Sequence, residues 1–279
     1  MTGADQTLPI DEATARRYLT AYLREAPLAT ALWRSIEAAA LSTIELPHPI
    51  LDIGCGFGEF ARLFFQDRDQ PEAGVDIDRG ELSRAAAVSP AIYGSILQCD
   101  ARTLPFDDGS FNSVISVSTL EHIPDVEATI SEAARVLRPG GVFAFTVPIA
   151  PFNRNLLGHR ILRVGSRSLA DRYANAVHRR LTHVNIWPAA RWVDATTDAG
   201  LVVERQAATV SPTATMAFES LLPAAFANRL FRMATGRRPP HPAMFVWAAE
   251  RVLRGTVMKH SPDGSNLFVV ARKPAARAT

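Results

Sequence analysis

The feature that most constrains the fold is a regular alternation of short apolar segments with longer amphipathic ones. The apolar segments have the length and composition of buried strands, and the segments between them have helical periodicity. We predict strands at residues 50–53, 73–77, 96–99, 113–117, 142–147, 201–205 and 267–271. Because strands joined by helices pair in parallel, the pattern predicts an α/β fold, a doubly covered parallel sheet of the Rossmann-like type.

Four regions are predicted along the chain. Residues 1–46 form an N-terminal helical cap with a break at Pro27, and residues 47–153 form the core of the sheet. Within this core, residues 126–137 are predicted as a helix, ended at 138–141 by a helix stop and a turn. Residues 154–193 form a basic helical insertion after the fifth strand. Residues 194–279 complete the core and carry a second helical insertion at 211–260, with a Pro-rich break at 237–242.

Composition limits the classes of protein and of metal site. No apolar run approaches the ~20 residues needed to span a bilayer, and the N-terminus lacks the pattern of a secretory signal, so a cytoplasmic protein is expected. Cys55 and Cys99 cannot form a four-thiolate site or an iron–sulfur cluster, and we predict no metal ligands. Both cysteines are expected to fill the core.

The net charge of +2 hides a division between the two halves of the chain. Residues 1–153 hold 11 Lys and Arg against 21 Asp and Glu, whereas residues 154–279 hold 19 against 7. A basic half favours an anionic partner, such as a phosphorylated substrate or an anionic lipid surface. Solvated arginine-rich helices are the alternative.

A glycine-rich loop follows the first predicted strand, where ligands of parallel sheets bind. Gly54, Gly56 and Gly58 allow close approach to a ligand, but such a loop alone is weak evidence. Carboxylates at successive strand ends strengthen it: Asp52, Asp76 and Asp100. A dinucleotide fold would explain the loop and Asp76 but has no need for Asp100. Asp52 and Glu59 flank the loop, where they would repel a diphosphate and suit a cofactor with an ammonium and a sulfonium, which argues against NAD(P).

Six segments in order resemble class I S-adenosylmethionine-dependent methyltransferases of the type 11 and ubiquinone/menaquinone groups. They are residues 50–58 (ILDIGCGFG), 74–78 (GVDID), 97–101 (LQCDA), 104–111 (LPFDDGSF), 120–124 (LEHIP) and 137–141 (LRPGG). The resemblance is strong over residues 47–148 and looser over 183–205 and 266–273. It implies a seven-stranded sheet whose last strand runs antiparallel between its neighbours.

The resemblance also implies a role for each motif residue toward S-adenosylmethionine. The methionine part would be held by the first motif, the ribose by Asp76, and the adenine by Ile77 and by Asp100 with Ala101 alongside. The backbone of Ser118 would meet the amino group of the cofactor. The first-motif residues expected at the cofactor are Asp52, Gly54, Cys55, Gly56 and Gly58.

Methyl transfer depends mainly on alignment and needs a base only when the acceptor must lose a proton. His122, which follows the fourth strand, is the first candidate for that base, and His183 and Tyr173 are weaker ones. The alternative is that Glu121 and His122 only shape the loop and orient the substrate.

The insertions must supply the acceptor site. Residues 154–193 carry eight arginines and one acid, Asp171. A stripe at positions 169, 173, 177 and 181, opened by Ser168, predicts a helix. Apolar, arginine-bearing helices favour a lid over a small lipophilic or anionic acceptor (a lipid, a quinone or a glycan), or contact with an anionic membrane. A capping subdomain or dimer contact is equally compatible. The arginines alternate with aliphatic stripes rather than with exposed aromatics on a smooth basic face, which argues against nucleic acid.

Three functions therefore stand at this point: a methyltransferase, an NAD(P)-dependent oxidoreductase, and a non-catalytic cofactor-binding protein associated with a membrane. The carboxylates around the glycine loop favour the first.

Overall fold

A computed structural model describes residues 8–88, 91–235, 243–257 and 261–275 of the 279-residue chain. Seven strands form one sheet: β1 (Ile50–Ile53), β2 (Ala73–Asp76), β3 (Ser95–Gln98), β4 (Phe111–Val117), β5 (Leu137–Pro148), β6 (Val202–Thr209) and β7 (Asn266–Arg272). Their order across the sheet is β3-β2-β1-β4-β5-β7-β6. Strands β1 to β5 pair in parallel, whereas β7 is antiparallel to both β5 and β6. The predicted Rossmann-like sheet, with its antiparallel last strand between two neighbours, is confirmed.

Helices cover both faces of this sheet. They are α1 (Glu12–Glu25), α2 (Leu28–Leu41), α3 (Glu59–Phe64), α4 (Arg79–Val88), α5 (Val126–Val136), α6 (Pro151–Asn155), α7 (Leu157–Gly165), α8 (Arg167–Leu181), α9 (Ala189–Asp198), α10 (Pro212–Thr235) and α11 (Ala243–Val257). Helices α6 to α8 follow β5 and helices α10 and α11 follow β6, where the insertions are predicted, whereas α9 covers the sheet. The domain boundaries drawn from the sequence stay predictions.

Two apolar cores lie on opposite faces of the sheet, because successive strand residues point to opposite sides. Ile50 belongs to the core shared with α1, α2 and α3. Leu51 and Ile53 belong to the core shared with α5 and α9, where Trp192 is fully buried. The continuous apolar run of β1 is therefore buried on both faces, as the central strand of a parallel sheet requires.

The predicted turn at residues 138–141 is wrong. Helix α5 ends at Val136, but β5 begins at once with Leu137. Leu137 pairs with Phe111 and the next paired residue, Val142, with Ser113, so the intervening residues bulge within an extended strand. The nitrogen of Gly140, whose φ is +82°, donates to the carbonyl of Lys273. Pairing with the residue after β7 keeps this glycine-containing segment within β5.

Three of the four stripe positions predicted for α8 pack against the core (Tyr173, Val177 and Leu181), and the fourth does not. The N-cap of α8 is Ser166, whose hydroxyl accepts from the nitrogen of Leu169 (3.3 Å), and the side chain of Leu169 is exposed. Ala170 and Ala174 complete the buried face. The small alanines allow close packing of α8, which the search for large apolar residues does not detect.

Among the described residues, no helix combines the length and the apolar character that crossing a bilayer requires. The predicted break at 237–242 lies outside the described residues.

Candidate active site

The loop after β1 is built on glycines with left-handed backbone angles. Gly54, Gly56 and Gly58 have φ values of +77°, +52° and +77°. The nitrogens of Gly54 and Cys55 both donate to the carbonyl of Val75 (2.8 and 3.0 Å), which ties the loop to β2. A Cβ atom at Gly56 would meet no atom within 4 Å, so this side of the loop is open to a ligand. The Cys55 side chain is buried, and the loop offers its backbone rather than this thiol.

Asp76 ends β2 beside the glycine loop. Its half-buried carboxylate accepts from the nitrogen of Gly56 through Oδ2 (2.8 Å) and from that of Asp78 through Oδ1 (2.9 Å). The next residue, Ile77, is 67% exposed. It lies at the edge of the sheet where the parallel strands end, which we call the rim. A carboxylate next to an exposed apolar side chain matches the needs of a ribose and an adjoining base.

Asp52 lies deeper than the loop, with only 4% of its surface exposed. Its Oδ2 accepts from the hydroxyl of Tyr93 (2.6 Å). Burial raises the pKa of Asp52 to about 6. Burial also raises the pKa of the Cys55 thiol, and the charges of Asp52 and Asp76 raise it further. The loop therefore lies in a negative potential, which favours a cationic ligand over a diphosphate.

Asp100 and Ala101 follow β3 at the same rim. Both carboxylate oxygens of Asp100 accept from the Arg102 guanidinium, at 2.6 to 3.1 Å. The hydrogen bonds from Arg102 hold the pKa of Asp100 below its usual range. An adenine amine at this position would share the Asp100 carboxylate with Arg102. The pairing of Asp100 with Arg102 was not predicted from the sequence.

Ser118 follows β4 in a left-handed conformation, with a φ of +45°. Its nitrogen donates to the carbonyl of Thr146 on β5 (3.0 Å), and its hydroxyl donates to Glu37 on α2 (2.5 Å). Strain of this kind at the end of a central strand is typical of a functional site. Ser118 thus joins the rim to a buried carboxylate on the helical cap.

A network around Glu37 was not predicted from the sequence. Glu37 is fully buried, and its carboxylate also accepts from Thr146 (2.8 Å), Asn266 (3.2 Å) and the Arg34 guanidinium (3.0 Å). The Arg34 guanidinium donates to the carbonyl of Val117 at the end of β4 as well (3.0 Å). The network fixes α2 to the carboxyl ends of the central strands and brings a cation near the site. The one sequence signal for this network was the pair of charged residues, Arg34 and Glu37, within the largely apolar and alanine-rich α2.

Comparison with known proteins adds a family to this geometry. Residues 51–145 match the family model described as a methyltransferase domain. Over 147 residues the chain is 36% identical to an uncharacterized methyltransferase from Mycolicibacterium paratuberculosis, covering 51% of this chain and 54% of that protein. The chain contains a class I S-adenosylmethionine-dependent methyltransferase domain.

Two further similar proteins show how far the comparisons identify the substrate. Over 103 residues the chain is 34% identical to a 2-methyl-6-phytyl-1,4-hydroquinone methyltransferase from Synechocystis, covering 37% of this chain and 32% of that protein. A methyltransferase from Haloferax volcanii, solved with its Trm112 activator, aligns with a TM-score of 0.55 at 20% identity, covering 92% of this chain and 97% of that one. The structural likeness shows the fold alone. The chain spans about half or less of the length of the curated sequence relatives it matches, so its acceptor is a matter for proposal.

The methyltransferase domain explains the loop and the acidic rim without NAD(P), and the oxidoreductase alternative is set aside. The residues present fit S-adenosylmethionine: an open glycine loop, a carboxylate at the ribose position and an exposed isoleucine at the base position. When bound, this cofactor supplies an electrophilic methyl group on a sulfonium. The individual contacts assigned to the cofactor stay predictions.

His122 lies in a short 3-10 turn, Leu120–His122, directly after β4. Its Nδ1 contacts the carbonyl oxygen of Thr182 (3.0 Å), which follows α8. Burial lowers the pKa of His122, which favours the neutral ring that a general base requires. His183 lies beside it, with ring centroids 5.4 Å apart. The role of either histidine as a base stays a prediction.

Tyr173, the other candidate, serves the packing of the insertion. Its hydroxyl donates to Glu219 on α10. Burial, and then the bond to Glu219, raise its pKa to about 12, which disfavours proton transfer near neutral pH.

Proposed function

We propose that this protein transfers the methyl group of S-adenosylmethionine to a small-molecule acceptor with a lipophilic body. The observation that carries the proposal is the acidic glycine loop next to Asp76 and the exposed Ile77. This arrangement suits a cationic nucleoside and repels a diphosphate. The relative that acts on a phytylated hydroquinone supports a lipophilic acceptor.

Methyl transfer requires mainly that the protein align the acceptor atom with the methyl group. Displacement at a sulfonium methyl needs the acceptor atom in line with the methyl–sulfur bond, and such positioning can supply about 7–11 kcal/mol of the barrier. The His122 ring stands where β4 ends and could accept a proton from an acceptor hydroxyl. The insertion α6 to α8 leaves the sheet at the end of β5, and the chain returns to the rim at residues 182–185. The insertion is therefore well placed to exclude water from the acceptor.

The direct test is transfer of a label. Purified protein is incubated with isotopically labelled S-adenosylmethionine and fractionated cell extract, and labelled products are identified by mass spectrometry. We expect a labelled product of low molecular mass in an organic-soluble fraction, reduced when Asp76→Ala replaces the wild type. Label in protein or nucleic acid only would contradict the proposed acceptor class. A thermal shift with NADH in place of S-adenosylhomocysteine would contradict the methyltransferase itself.

The exposed surface of helix α7 suggests how a lipophilic acceptor reaches the protein. Leu157, Ile161 and Val164 repeat at helical spacing on α7 and are exposed, Val164 to 91%. Arg160 and Arg163 lie in the same helix. An apolar stripe with arginines beside it matches the surface of an anionic membrane. We infer that α7 contacts such a membrane and that the acceptor enters from it.

Liposome sedimentation tests this route. The wild type should pellet with vesicles containing anionic lipid and much less with neutral ones, and Ile161→Asp should abolish pelleting. The matched control is Val202→Asp, because Val202 is also exposed (56%) but lies level with the start of β5, whereas α7 follows the end of that strand. Equal, negligible binding to both kinds of vesicle would discard the membrane route and leave the methyl transfer untouched.

A further inference from the structure

Three side chains of metal-ligating type meet at the rim of the sheet. Glu121 and His122 lie in the 3-10 turn after β4, and His183 lies in the segment after α8. One ligand atom from each lies within 4.8 Å of the other two. The sequence analysis treats the three residues separately and predicts no metal ligands. His183 is about 60 residues from the other two along the chain, so no local pattern shows that they meet.

The backbone holds the two parts of this cluster firmly together. The carbonyl of Glu121 accepts from the nitrogens of Val184 and Asn185 (2.8 and 2.9 Å). The side-chain amide of Asn185 donates to the carbonyls of Leu120 (3.2 Å) and Ile123 (2.7 Å). These hydrogen bonds fix the segment that carries His183 against the turn that carries Glu121 and His122.

The hydrogen bonds also orient the His122 ring. A carbonyl oxygen only accepts, so the contact with Thr182 places the ring proton on Nδ1. The neutral ring then presents the lone pair of Nε2 to Oε1 of Glu121, 3.6 Å away. Two acceptor atoms that face each other need a positive species between them.

Glu121 provides an independent sign of a missing partner. Its side chain is 2% exposed, and Oε2 makes no hydrogen bond within the described residues. Leaving a buried carboxylate oxygen unsatisfied is costly, and such an atom calls for an explanation such as a bound ion.

His183 has the outer support that metal-bound histidines usually have. Nε2 of His178 contacts Oδ1 of Asn153, and Nδ1 of His178 lies 3.1 Å from Nδ1 of His183. With the amide oxygen accepting from His178, that ring in turn accepts from Nδ1 of His183. His183 then keeps Nε2 unprotonated, and its orientation is fixed by a second histidine.

We propose that Glu121, His122 and His183 bind a divalent transition-metal ion such as Zn²⁺ at the acceptor side of the rim. Two imidazoles and one carboxylate form the ligand set of catalytic zinc and of non-haem iron sites, and they leave coordination positions open. Imidazole ligands favour Zn²⁺ over Mg²⁺. The binding of the ion does not depend on the proposed methyl transfer.

The competing occupant is a proton. Burial raises the pKa of Glu121 to about 8, so a protonated carboxyl could face His122 instead of an ion. Titration at two pH values separates the two, because an ion that displaces this proton binds more tightly as the pH rises, whereas a site that takes only a proton binds no ion at either pH.

The test is a calorimetric titration of EDTA-treated protein with ZnCl₂ and, separately, with MgCl₂. We expect one Zn²⁺ per chain, much weaker Mg²⁺ binding, and a loss of Zn²⁺ affinity of at least about tenfold in His183→Ala and in Glu121→Gln. The control is His159→Ala, because His159 is also buried but contacts Asp171 away from the cluster. This control should bind zinc as the wild type does.

A Co²⁺ spectrum gives a second readout. Visible bands of a nitrogen- and oxygen-ligated ion, without the near-ultraviolet band of a thiolate ligand, would exclude Cys55 and Cys99 as the source of binding. A thermal melting curve of each variant without ligand shows whether it is folded. Zinc affinity unchanged in both folded variants, or no stoichiometric zinc binding by the wild type, would overturn the site without touching the methyltransferase assignment.

Discussion

Substitution of Gly54 tests the junction between β1 and the cofactor loop. Gly54 has a φ of +77°, and a Cβ atom there would lie 2.1 Å from Cγ2 and 2.6 Å from Cβ of Thr119. Ordinary contacts are 3.4–4 Å. Rotation of the Thr119 side chain moves Cγ2 but not Cβ, so Gly54→Ala must displace backbone.

Gly56→Ala is the matched control. Gly56 also has a positive φ of +52°, but its Cβ would meet nothing within 4 Å. Alanine in the left-handed region costs about 1–2 kcal/mol in either case. Overpacking against Thr119 adds about 1–3 kcal/mol at Gly54 only. We therefore expect Gly54→Ala to lower the free energy of unfolding by about 2–5 kcal/mol and Gly56→Ala by about 1–2 kcal/mol.

Urea unfolding of both variants measures this difference. The double variant Gly54→Ala/Thr119→Gly should recover part of the loss, as a favourable coupling energy in a double-mutant cycle. Equal losses for Gly54→Ala and Gly56→Ala, or no coupling with Thr119→Gly, would refute the close approach of the loop to the end of β4.

Three further predictions concern the same rim. Burial raises the pKa of Asp52 from 3.8 to about 6. The stability contributed by the protonated carboxyl is therefore fully present below pH 3.8 and is lost as the pH rises through about 6. Asp52→Asn should therefore match the wild type in urea at pH 4 and exceed it by about 3 kcal/mol at pH 7.5, and an equal difference at both pH values would refute this. Glu37→Gln should cost about 3 kcal/mol in urea unfolding, because it leaves the Arg34 guanidinium unpaired, and a loss below about 1 kcal/mol would contradict the network. Ile77→Ala should weaken S-adenosylhomocysteine binding about fivefold to tenfold at an unchanged melting temperature, and unchanged affinity would remove Ile77 from the base site.

The strands of the core could be predicted because each is a local pattern. Residues 50–53 form an apolar run followed at once by glycine, and β1 has these bounds in the structure. Residues 138–141 show where local signals fail. Their proline and glycines predict a turn, but pairing with Lys273 at the far end of the chain keeps the segment in β5.

The site could be predicted only where its parts are close in sequence. The glycine loop and Asp76 belong to one strand–helix–strand unit, and the structure brings them together as expected. Glu37 meets Thr146 and Asn266, which lie more than a hundred residues away, so no local pattern identifies the network. His183 reaches His122 only because the insertion folds back onto the turn after β4.

Calorimetric titration with S-adenosylhomocysteine tests the cofactor site most directly. The wild type should bind one molecule in the micromolar range, and Asp76→Ala should weaken binding about a hundredfold or more, since a charged acceptor of two hydroxyl bonds is lost. Asp108→Ala, which removes an exposed carboxylate paired with Arg135, should bind as the wild type does. An absence of binding by the folded wild type, or undiminished binding by Asp76→Ala, would contradict the placement of the cofactor on this rim.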